Sequence, residues 1–250
     1  MYQILQGNCL ELMKEIPDAS VDMVLCDLPY GTTQNKWDSV LPFDALWAEY
    51  RRVCRGAIVL TASQPFTSAL VMSNPKDFRY QWVWQKSAAT GHLNAKRMPM
   101  KLHEDVLVFS QSAAPYNPQG LTRFDQVTRR GNNGSNFGAS GAENFQEFTN
   151  YPRSILAIPS EGKTVHPTQK PVALMEYLVR TYTNEGDVVL DNTMGSGTTG
   201  VARANTGRGF IGMELDPTYF DIARGRIASA LGTHAPGQTL QAEQVVDDLI

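Results

Sequence analysis

The chain lacks the features that would send it to a membrane or stitch it together covalently. Its 250 residues contain no run of about 18 apolar side chains, so a membrane-spanning helix is not expected. The opening stretch, MYQILQGNCLELMK, has neither the basic start nor the apolar core of a secretory signal. There are only three cysteines, Cys9, Cys26 and Cys54, at no metal-ligand spacing. No metal site is expected, and the thiols read as reduced, in a cytoplasmic protein. Internal repeats are absent. So is an overall basic excess: the net charge is −3.

The distribution of charge says more than its sum. Residues 76–130 hold 9 basic and 4 acidic side chains, while the flanking regions are both acidic. A basic middle in an acidic chain fits an electrostatic footprint for phosphate, and equally a solvated basic face.

Short β-rich runs alternate with helical patterns. YQILQ (2–6), VDMVLC (21–26), AIVLTA (57–62), YQWVWQK (80–86) and EDVLVFS (104–110) read as strands. Helical periods fall near 8–15, 43–54 and 65–73. The alternation predicts parallel βα units, in a sheet with helices on both faces. It breaks over 111–165, a Gly-, Asn- and Ser-rich segment centred on GNNGSNFGASG (131–141), too long for an idle loop. It resumes with a helix at 169–182 carrying Pro171 in its first turn, a strand DVVLD (187–191), a glycine-rich turn, a strand RGFIGMEL (208–215) and a helix at 217–230. Trp37, Trp47, Trp82 and Trp84 are assigned to the core.

The glycine turn carries the first chemical signal. In DVVLDNTMGSGTTG, Gly195, Gly197 and Gly200 satisfy G-x-G-x-x-G, and Glu214 ends the next strand, 19 residues after Gly195. Glycines allow close backbone approach, and an acid at that strand end can accept both hydroxyls of a ribose. A nicotinamide dinucleotide would place its pyrophosphate at the helix N-terminus. S-adenosylmethionine has no phosphate, and Asp191 ahead of the turn suits its ammonium. Only one short βαβ unit follows residue 187, so its sheet partners must come from residues 1–110. That makes the chain a circularly permuted α/β domain.

With CDLPYG (26–31), HPTQKP (166–171) and GNCLELM (7–13) in place, the sequence resembles the amino-methylating DNA methyltransferases of the permuted class. Asp27-Leu28-Pro29-Tyr30 stands where that family has Asp/Asn/Ser-Pro-Pro-Tyr/Phe. Asp191-Asn192-Thr193-Met194-Gly195-Ser196-Gly197 stands for Asp-x-Phe-x-Gly-x-Gly. Leu28 and Thr193 depart from the pattern. The resemblance implies an S-adenosylmethionine-dependent, Rossmann-like methyltransferase fold with a mainly parallel sheet. It assigns 1–110 and 165–230 to the catalytic and cofactor domain, 111–164 to an inserted target-recognition region and 231–250 to a tail. It also implies cofactor contacts from Asn8, Cys9, Asp27, His166, Thr168, Gln169, Lys170, Asp191, Thr193, Gly195, Ser196, Gly197, Thr198, Glu214 and Leu215.

The chemistry explains why such residues are wanted. A base amine is a poor nucleophile because its lone pair is conjugated into the ring. An ordinary Asp, with a pKa of about 3.9, is too weak a base to deprotonate it, so Asp27 is given another role. It can orient the amine, with help from the Leu28 carbonyl, and take the proton afterwards. Pro29 stiffens the turn, and Tyr30 can stack on a base drawn out of duplex DNA. The local alternatives are a Pro turn capped by Asp27 and, at HPTQKP, a helix start capped by Thr168. Lys96, Arg97, Lys101, Arg123, Arg129 and Arg130 are the expected phosphate contacts. Relatives with Asp at the first tetrapeptide position mostly methylate adenine N6. Cytosine N4 methylation, a nicotinamide oxidoreductase and an inactive DNA-binding homologue stay open, as does a homodimer.

Overall fold

A computed structural model describes residues 2–32, 38–129, 143–162, 164–165 and 168–234. Trp37, Arg130, GNNGSNFGASG, His166 and the tail beyond 234 lie outside the described residues, as does the side chain of Arg129. Along the chain come β1 (Tyr2–Gln6), α1 (Cys9–Leu12), β2 (Val21–Asp27), α2 (Phe43–Val53), β3 (Cys54–Ala62), α3 (Phe66–Ser73), β4 (Phe78–Thr90) and β5 (Lys101–Phe109). They are followed by β6 (Thr122–Arg129), β7 (Glu143–Thr149), β8 (Ile155–Ala157), α4 (Val172–Tyr182), β9 (Val188–Asp191), α5 (Thr198–Thr206), β10 (Gly209–Glu214) and α6 (Pro217–His234).

Eight strands form one sheet in the order β1-β10-β9-β2-β3-β5-β4-β8, and β6 and β7 form a separate two-stranded ribbon. The pairs from β1 through β3 are parallel; β5 runs antiparallel to both β3 and β4. The sheet is therefore mainly parallel, as expected, with one reversed strand. That reversal follows from the link between β4 and β5. Residues 91–100 contain only one short helical turn, too little for the crossover that a parallel return requires.

The late strands β9 and β10 insert between β1 and β2, which is the permutation expected from the position of the glycine turn. β2 is buried on both faces, as a central parallel strand must be. Val24 and Cys26 point into a core with Leu46, Trp47 and Tyr50 of α2. Met23 and Leu25 point into a second core with Leu174, Met175 and Leu178 of α4. Trp47, Trp82 and Trp84 are buried in these cores.

Two expected boundaries shift. β8 lies within the segment 111–164 yet pairs with β4 in the main sheet, so an insertion would have to end before residue 155. α4 starts at Val172, with Pro171 as its N-cap residue rather than in its first turn. Its first backbone N–H is satisfied not by Thr168 but by Glu161 Oε1, 2.8 Å from Val172 N. Among the described residues no helix is long and apolar enough to cross a membrane.

Candidate active site

The C-terminal ends of β2, β9 and β10 open into one cleft of about 980 Å³. Strand ends in an open α/β sheet leave such a crevice where helices diverge to opposite faces. One end of the cleft is built by Asn8, Cys9, Glu214 and Leu215, the middle by Asp191, Thr193, Gly195, Ser196 and Thr198, and the other end by Asp27, Leu28, Pro29 and Tyr30. Thr168, Gln169 and Lys170 also line it. Nearly all the residues singled out in the glycine turn and the tetrapeptide are thus brought together.

Asp27 is tied on both oxygens. The hydroxyls of Tyr30 (2.8 Å) and Thr61 (2.5 Å) donate to its Oδ1. The Lys170 ammonium lies 2.5 Å from its Oδ2. Lys170 is itself buried and reaches Glu104 Oε2 at 3.3 Å; Glu104 in turn pairs with Lys86. Burial alone would pull the Lys170 pKa down, but Asp27 and Glu104 hold it above its ordinary value. Burial pushes Glu104 up, yet Lys170 and Lys86 hold its carboxyl below the usual range. The site is a chain of alternating charge, Asp27–Lys170–Glu104–Lys86, buried at Lys170 and half-buried at the other three. Sequence reasoning placed Lys170 at the cofactor and missed Thr61, Lys86 and Glu104. The signal available was a charged residue at the end of each of two otherwise apolar strand patterns, Lys86 and Glu104.

Leu28 is in the core. With its side chain taken up there, its peptide is what remains to face the cleft. Tyr30 stacks on Phe66 at 5.0 Å and 24°, so one face of its ring is already covered.

The glycines divide their work. A Cβ at Gly195 would meet nothing within 4 Å, leaving the backbone open to the cleft. At Gly197 a Cβ would come 2.9 Å from Ala223 Cβ, and at Gly200 2.3 Å from Ile227 Cδ1. The missing Cβ at Gly197 and Gly200 thus lets α6 pack against the turn. Glu214 is oriented by N–H groups of Gly195 (2.8 Å) and Asp216 (2.9 Å), one on each oxygen, with a lone pair left on each. Asp191 is buried, and desolvation pushes its pKa up to about 7, against lowering hydrogen bonds from Thr199 and Thr193. An open glycine turn, a buried acid that a cation would stabilise and an oriented acid on the next strand fit a nucleoside with a cationic tail.

The expected DNA contacts scatter. Lys96 and Arg97 are exposed between β4 and β5. Lys101 does not join them: its ammonium enters the cleft and donates to Ser63 Oγ. Arg123, on the β6–β7 ribbon, is engaged by Asp125 (2.6 Å) and Glu147 (2.7 Å) rather than held free for phosphate. Asn8 Oδ1 caps α1 by accepting from Leu10 N at 3.0 Å.

Comparisons with known proteins agree with this geometry. A family model for N6/N4 methyltransferases, described as DNA methylase, matches residues 21–225. Type II methyltransferase M1.MboII of Moraxella bovis is 28% identical, over 88% of this chain and 94% of its own. Type II methyltransferase M.HpaI of Haemophilus parainfluenzae is 26% identical, over 91% of this chain and 74% of its own. The solved M1.HpyAVI–SAM complex superposes with a TM-score of 0.62 at 26% identity, covering 90% of this chain and 100% of the other.

Removing the central cation should expose the charge chain. Lys170→Met leaves Asp27 and Glu104 facing each other, at a cost of about 3–5 kcal/mol near pH 8. Glu104, whose pKa is depressed in the fold, contributes stability that is present above its ordinary value and lost as pH falls through the depressed one. The cost of the substitution should therefore shrink only below the usual Glu value of about 4.3, toward about pH 3. Urea unfolding of both proteins at the two pH values measures it; a pH-independent cost would show that Lys170 supplies packing, not charge.

Proposed function

Since the chain belongs to the N6/N4 DNA methylase family, we propose that it methylates the N6 amine of adenine in duplex DNA, after drawing the base out of the helix. It is a DNA methyltransferase, and its cofactor is S-adenosylmethionine. When bound, that cofactor supplies an electrophilic methyl group on a sulfonium. The observation that carries the reading is Asp27, which stands in the same cleft as the open glycine turn with both carboxylate oxygens oriented by neighbours.

In this reading Asp191 receives the cofactor ammonium, Glu214 the ribose hydroxyls and Gly195 the close backbone approach. Asn8, Cys9 and Leu215 surround the adenine end, and Thr168, Gln169, Ser196 and Thr198 the methionine end. Gln169 is coupled to the glycine turn, since Ser196 Oγ donates to its Oε1 at 3.4 Å. Asp27 accepts one hydrogen of the target amine and the Leu28 carbonyl the other, which aims the nitrogen lone pair. Lys170 holds Asp27 in place and offsets its charge until the amine arrives. As positive charge grows on nitrogen, Asp27 stabilises it, and then takes the proton. Tyr30, backed by Phe66 and with the Lys170 ammonium 5.7 Å from its ring centre, offers the target base an aromatic surface. The base must leave the stack because its amine is otherwise inaccessible to in-line attack.

Adenine is favoured by Asp27 at the first tetrapeptide position. The second reading, N4 of cytosine, is favoured by the family's own range and by the fact that both amines present the same two hydrogens to Asp27. The related proteins are named as Type II methyltransferases, and a partnership with a restriction enzyme follows as part of the proposal.

Two measurements test the reading. DNA methylated by the protein and digested to nucleosides should yield N6-methyladenine by mass spectrometry; N4-methylcytosine alone would overturn the choice of base. Cofactor binding should also depend on pH. Asp191 is protonated below about 7, and only its ionised form attracts an ammonium. Affinity for S-adenosylmethionine by calorimetry should fall by up to about tenfold per pH unit below 7. In Asp191→Asn the affinity should be lower at pH 8 and flat with pH.

A further inference from the structure

The link between β4 and β5 stands away from both cores. The strands pair out to Thr90 and Lys101, Gly91 turns the chain at φ +89°, and residues 91–100 are all exposed. The stem of this arm belongs to the cleft wall: Trp84, Lys86, Ala88 and Thr90 face the cleft from β4, and Lys101 and Glu104 from β5. Its tip therefore stands at the cleft mouth.

That tip combines two unusual properties. Leu93 is 88% exposed and Met98 59% exposed, and neither joins an apolar cluster among the described residues. Residues 91–101 also contain Lys96, Arg97 and Lys101 and no acidic side chain. Among the described residues, the side chains of Lys96 and Arg97 make no ion pair or hydrogen bond, unlike Arg123 with its two carboxylates. An apolar point between free cations suits a polyanion that has an apolar interior, which describes duplex DNA better than an ordinary protein surface.

We propose that the arm tip is a wedge: Leu93 enters the base stack where the target base has left, while Lys96 and Arg97 hold the phosphates on either side. The proposal rests on the base-extraction reading above and deepens it by naming what fills the gap. Drawing a base out breaks its stacking on both neighbours, and an apolar side chain inserted between base steps compensates part of that loss. The stem places the wedge beside the cleft that would receive the extracted base.

The test uses the full chain, its cofactor and a duplex oligonucleotide carrying the methylation site, with a fluorescent base analogue at the target position. With wild type, fluorescence should rise as the analogue leaves the stack. Leu93→Ser should reduce that rise at least about fivefold, and Leu93→Met should restore it. Placing an abasic site opposite the target removes the pairing that must be broken. On that duplex, Leu93→Ser should methylate within about threefold of wild type. Lys96→Gln and Arg97→Gln should each lower the salt slope of DNA binding by about one. An equal rise in wild type and Leu93→Ser overturns the wedge and leaves base extraction standing. No rise with wild type overturns base extraction and the wedge with it.

Discussion

The pairing of β2 with β9 is the contact on which the cleft depends. Met23 and Val24 lie beside Val189 and Leu190, although more than 160 residues separate them in the chain. A parallel pair in this register delivers Asp27 and Asp191 to the same edge of the sheet. Three side-chain contacts lock the ends together. Cys26 Sγ donates to Asn192 Oδ1 at 2.9 Å, Tyr50 donates to the same oxygen at 2.6 Å, and Thr193 Oγ1 donates to the Asp27 carbonyl at 3.2 Å. Thr193 thus has a use that an aromatic residue could not supply: it joins the cofactor turn to the tetrapeptide. A slip of one residue in this pairing would turn every side chain of β2 to the opposite face.

Electrostatics then differ at the two ends of the cleft. Around Asp191 burial dominates, with the Asp27 charge adding to it, so the carboxyl resists ionisation until a cation comes. Around Asp27 a lysine is already present. An arriving amine has to share Asp27 with Lys170, and the Lys170 ammonium can fall back on Glu104, 3.3 Å away. This arrangement lets one carboxylate change partners without leaving a charge uncompensated in the protein interior.

Much of this was legible in the sequence. Strands that follow the parallel βα pattern, the glycine turn and the tetrapeptide each have a local signature, and the permuted order follows from the tetrapeptide preceding the glycine turn. What was not legible depends on distance in space. The reversal of β5 is decided by the missing crossover helix rather than by anything in its own apolar run. Lys170 sits in HPTQKP at the approach to α4, and no local pattern tells that its long side chain turns to Asp27. Glu104 and Lys86 become partners only once β4 and β5 pair antiparallel. Basic composition set the middle of the chain apart, but it could not separate Lys96 and Arg97, whose side chains pair with nothing among the described residues, from Arg123, which is neutralised across its ribbon.

The central claim is that Asp27 orients the amine and removes its proton while other residues hold the cofactor. Single-turnover methyl transfer and calorimetric cofactor binding, measured side by side for wild type and Asp27→Ala, test it most directly. The account predicts that transfer falls at least about a thousandfold while affinity for S-adenosylmethionine changes by only a few-fold. Transfer at the wild-type rate, or a loss explained wholly by failed cofactor binding, would contradict it.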